Sequence, residues 1–103
     1  MLLRSDLIRL FSDVLVEVLT ADRVDTPAVV DETTPLVGGA VIDSLGLVEV
    51  IMEAELRLRR DHGADVTLAD ERAMSQRHSP FRTIGTFADY AALLLAERRT
   101  LGQ

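Results

Sequence analysis

The sequence predicts an all-α fold, a four-helix bundle of three main helices and one short one. Three observations lead there. Apolar residues recur at three- and four-residue steps over separate stretches, two Thr-x-x-Asp patterns stand where helices would open, and no stretch alternates apolar and polar residues as a half-buried strand does. No internal repeat is visible. The 103 residues suit one domain, 1–103, with a single modest core.

The first helix is predicted over Leu3 to Leu19, where Leu3, Leu7, Leu10, Phe11, Val14, Leu15, Val18 and Leu19 share one face. Thr20 to Asp43 holds Pro27, Pro35, Gly38 and Gly39 and keeps neither period, so it reads as a long first loop, with room for a short helical turn inside it. The second helix runs from Ser44 to Asp61 and stops near Gly63, a residue suited to a helix end. In Thr67-Leu68-Ala69-Asp70 a hydroxyl and a carboxylate can satisfy exposed amides reciprocally, which predicts a short third helix continuing through Glu71 to Met74. Ser75 to Arg82, with Pro80, reads as a loop. Thr86-Phe87-Ala88-Asp89 then repeats the capping pattern and predicts a last helix to about Arg99, with Phe87, Tyr90, Ala91 and Leu94 facing the core and Leu101 to Gln103 frayed.

Composition limits the function classes. Cysteine is absent, which excludes disulfides, thiolate metal sites and a cysteine nucleophile, and suits a reducing compartment. Arg4, Asp6, Arg9 and Asp13 interrupt the amino-terminal segment, and no apolar run is long enough to span a bilayer, so a cytoplasmic monomer is expected with no membrane partner. Seventeen acidic against eleven basic residues give a net charge of −6, a field that opposes nucleic acid and anionic lipid and favours basic protein surfaces. His62 and His78 are the only histidines. Neither is placed by sequence to serve a serine as base, and the pair matches no usual ligand spacing, so no catalytic residue and no metal site is expected.

The second helix is unusual for a surface helix. At about 100° per residue its apolar residues form two stripes roughly 140° apart: Leu47, Ile51, Ala54 and Leu58, and then Leu45, Val48, Met52 and Leu56. If the helix lies outside the bundle only one stripe faces the core. The second, bordered by Glu49, Glu53, Arg59 and Arg60, would then be a protein-binding patch. If the helix is central both stripes are core, and its periodicity leaves the two arrangements open. Glu53 with Arg57 and Glu55 with Arg59 stand four apart in the order that supports a helix by a few tenths of a kcal/mol per pair.

Ser44 opens this helix within Asp43-Ser44-Leu45. A serine there places its hydroxyl where a phosphate would meet free amides and the positive helix end. Ser44 and Asp43 are equally ordinary N-cap residues. The whole stretch from Val41 to Val50, Val-Ile-Asp-Ser-Leu-Gly-Leu-Val-Glu-Val, resembles the attachment segment of acyl and peptidyl carrier proteins. The long first loop, the short helix after Ala64-Asp65-Val66 and the run from Phe81 to Tyr90 resemble carrier-protein parts in order and approximate spacing, so the likeness covers nearly the whole chain.

The resemblance implies a four-helix carrier fold and a non-catalytic role. Ser44 would receive 4'-phosphopantetheine from coenzyme A through a phosphopantetheinyl transferase, with Asp43 assisting that enzyme. An acyl- or aminoacyl-loading ligase would then charge the arm as a thioester for delivery to synthase or transferase enzymes of fatty acid, polyketide or other secondary metabolite biosynthesis. It also implies that Leu45, Val48, Glu49, Met52 and Glu53 form the partner-docking patch. The sequence departs from many carriers in Arg57, Arg59 and Arg60, which follow where those stay acidic, and in Ser75 to Pro80, which looks like an insertion. The competing reading is an unmodified helical adaptor that binds a partner through the second helix.

Overall fold

The computed structural model describes residues 3–36, 42, 44–68 and 81–101, giving only the backbone at 44 and 98–101. Among these residues there are three helices and no strand: α1 (Arg4–Ala21), α2 (Ser44–His62) and α3 (Ile84–Leu101). The radius of gyration is 13.1 Å, that of a compact chain of about 100 residues.

Helix α1 begins one residue after the predicted start, with the Asp6 carboxylate accepting the Leu3 N–H at 2.9 Å. It outruns the predicted end at Leu19 because the chain stays helical until Arg23 takes a left-handed φ of 59°. There the Val24 N–H donates to the Leu19 carbonyl and closes the helix. Leu7, Phe11, Val14, Leu15, Val18 and Leu19 are buried. They cover an arc of about 140°, against about 100° for the buried apolar residues of α2. α1 is the middle helix, packing on both α2 and α3.

Phe11 of α1 stacks on Phe87 of α3 with centroids 4.2 Å apart, and Phe81 meets Phe87 edge-on at 5.3 Å. Ile84, Phe87, Ala88, Tyr90 and Ala91 are buried, and Leu94 packs against the core partly covered. The α3 start differs from the Thr86 cap predicted. Thr83 is the residue before the helix, its hydroxyl accepts the Thr86 N–H at 3.1 Å, and the Thr86 hydroxyl accepts the Thr83 N–H at 2.9 Å. Thr86 thus takes the position usually filled by Glu or Gln, and the helix opens three residues earlier. It also continues to Leu101, where fraying was expected.

The described part of the first loop is held to this helix start. Leu36 N–H donates to the Arg82 carbonyl, Ile84 N–H to Thr34 and Gly85 N–H to Glu32, at 2.8 to 3.0 Å. Buried Thr34 and Leu36 anchor it. The turn inside it runs from Asp31 to Thr34, not as a helix but around the Asp31 carboxylate, which accepts the Thr33 N–H and hydroxyl. Arg4 adds a surface clasp to Glu32 at 2.7 Å and Asp89 at 2.6 Å. With all three side chains about half exposed, such pairs add little stability.

Thr67 and Leu68 are not helical, and Leu68 is buried. The remainder of the predicted third helix, from Ala69 to Met74, lies outside the described residues, as do Ser75 to Pro80, His78 and Gly102-Gln103.

Candidate functional site

Ser44 is the first residue of α2, so the amides of the first turn have no partner within the helix and the positive end of the dipole lies there. Asp43 lies outside the described residues. From Leu45 onward the two stripes separate. Val50, Ile51, Ala54 and Leu58 are buried and Leu47 is partly covered, whereas Leu45 is 68% exposed, Val48 48%, Met52 64% and Leu56 45%. Because α1 occupies the middle, α2 is an outer helix and its second stripe stays in solvent. Leu45 to Leu56 spans about 16 Å at the helical rise. Four large apolar side chains in one row are more than the scattered exposure usual on a surface.

The sequence reading put Val50 in neither stripe. It is wholly buried and widens the core face of α2.

The polar border is built from pairs. Arg57 has a side chain only 16% exposed and bridges the helices, donating to Glu17 of α1 at 2.5 Å and to Glu53 at 3.1 Å. The hydrogen bond from Arg57 holds the Glu17 carboxyl below the usual carboxylate range. The Glu53–Arg57 pair is the one the spacing predicts. Glu55 and Arg59 do not pair with each other. Glu55 accepts the Leu68 N–H at 2.7 Å, and Arg59 lies 3.8 Å from Asp65. Both partners come from the segment that turns back after α2, where Gly63 at φ 64° ends the helix and its N–H donates to the Arg59 carbonyl. Arg60 binds Asp61, whose carboxyl it lowers through that hydrogen bond. The arginines that depart from the carrier pattern are therefore each matched by a carboxylate of this chain.

The arrangement offers a serine at a helix start, an apolar row beginning at the next residue, and carboxylates beside that row. His62 is exposed at the far end of the same helix, some 27 Å of helical rise from Ser44, too far to act as its base. No described helix is long and apolar enough to cross a membrane. In comparisons with known proteins the chain matches no family model, no curated protein and no solved structure.

Proposed function

We propose that this chain is a carrier protein with a four-helix fold, acting in the cytoplasm. It holds an acyl or aminoacyl group as a thioester on a 4'-phosphopantetheine arm attached to Ser44 and presents it to partner biosynthetic enzymes. The observation that carries this reading is the junction of two features on α2: Ser44 heads the helix within Asp43-Ser44-Leu45, and the exposed apolar row starts at Leu45.

The fit to the arm rests on the helix start, where the positive end of the helix dipole suits a phosphodiester, and on the exposure of Leu45 beside it, which leaves space for an enzyme to approach. In the transfer, the Ser44 oxygen forms a bond to phosphorus, the pyrophosphate bond of coenzyme A breaks, adenosine bisphosphate leaves and the hydroxyl proton passes to the transferase. The arm supplies the thiol that a chain without cysteine lacks. Leu45, Val48 and Met52 would supply contact area to a partner, and Glu49 and Glu53 would orient it through complementary charge.

The test is incubation with coenzyme A and a broad-specificity phosphopantetheinyl transferase, followed by intact-mass measurement of the wild type and Ser44→Ala. The wild type gains one phosphopantetheine and the alanine variant none. An unchanged wild-type mass would leave the unmodified adaptor as the reading, since the exposed row serves either.

A further inference from the structure

We propose that the groove between the last turns of α1 and the outer side of α2 receives a cationic amphipathic helix of a partner protein, so that α1 as well as α2 reads the partner. This deepens the docking part of the carrier reading and is independent of the arm.

The groove encloses about 690 Å³ and is open along one side, with Val18 and Ala21 of α1 forming one wall and Met52 and Leu56 of α2 the other. Both walls are helical, so the channel is straight and its apolar positions follow a rod-like occupant. The lining includes four glutamates, Glu17, Glu49, Glu53 and Glu55, against Arg57 and Arg59, which leaves it two negative charges in excess. Arg57 is turned inward between Glu17 and Glu53, and the exposed Arg59 stands 3.8 Å from Asp65, so the excess charge of the lining remains negative.

That charge selects the occupant. A second copy of the chain would bring a net charge of −6 and the same acidic lining, which repels. A small molecule needs enclosure on most sides, and this channel is open. A helix with Leu-type residues on one face and Lys or Arg beside them satisfies both the apolar walls and the carboxylates.

The experiment uses the full chain carrying Ser44→Ala, which cannot take an arm, so its outcome is separate from that of the modification test. The probe is a synthetic peptide of Leu and Lys patterned as an amphipathic helix, with a control in which Glu replaces Lys. Amide chemical-shift mapping should show changes in Glu17 to Ala21 together with Met52 to Leu56, and binding should weaken as salt rises. Ala21 is exposed at the end of α1, where a lysine suits the helix dipole, so Ala21→Lys should fold normally yet bind the Leu/Lys peptide about fivefold more weakly. Ala21→Glu, of similar bulk, should not weaken it. Shifts confined to α2, wild-type affinity in Ala21→Lys, equal binding of the Glu peptide, or concentration-dependent dimerisation through this face would each overturn the proposal.

Discussion

Replacing Met52 by glutamate separates the two faces of α2 by stability alone. Fully burying a methionine side chain is worth about 1.5–3 kcal/mol, and Met52 keeps 64% of its surface in water, so the transfer contribution at risk is under about 1 kcal/mol. Glutamate and methionine have nearly equal helix propensity. The new charge stands three residues from both Glu49 and Glu55, and each like-charge pair costs a few tenths of a kcal/mol. The expected loss for Met52→Glu is therefore about 1.5 kcal/mol or less, up to about 10 °C in Tm for a domain of this size. Leu58, wholly buried one face away, provides the contrast, since Leu58→Ala should cost about 2–5 kcal/mol. Urea denaturation followed by circular dichroism measures both, with m values checking that the denatured states compare. A loss above about 2 kcal/mol for Met52→Glu would put that side chain in the core and remove the docking row.

Gly85 sits where a Cβ would lie 2.9 Å from the Glu32 carbonyl oxygen and 3.2 Å from the Arg4 guanidinium. Gly85→Ala should push the loop off α3 and cost about 1–3 kcal/mol, seen as a lower urea midpoint. Arg23 holds a left-handed backbone at φ 59°, a conformation that costs a side-chain-bearing residue about 1 kcal/mol, so Arg23→Gly should raise Tm slightly. The carboxyls of Glu17, Asp31 and Asp61 are held below their ordinary values by hydrogen bonds from Arg57, Thr33 and Arg60 in turn. Groups depressed on folding contribute stability above their unfolded values, so that contribution is fully present at neutral pH and fades as pH falls below about 4. Urea midpoints measured from pH 7 to pH 3 should decline, and Glu17→Gln should shallow the decline.

Periodicity alone is enough to locate α1, α2 and α3, because each buries one face and the burial repeats every three or four residues. It also divides α2 into two stripes, yet it is silent about which helix lies in the middle. That is decided by which helices meet, α1 touching both α2 and α3, and a buried face of either width is compatible with an inner or an outer place. The start of α3 was misplaced for a related reason. Thr83 and Thr86 are both capping residues three apart, and what selects the earlier one is the docking of Thr34 and Glu32 onto the amides of Ile84 and Gly85, a contact between distant parts of the chain. Glu55 likewise had a suitable partner on its own helix in Arg59. The Leu68 amide takes it instead, because an N–H beside a fully buried side chain must find an acceptor, whereas an exposed ion pair is nearly indifferent to being made. The same ordering bears on the candidate site. Buried amides and apolar faces claim their partners first, and what is left in solvent on α2, the row from Leu45 to Leu56, is the part of the helix that the fold itself does not use.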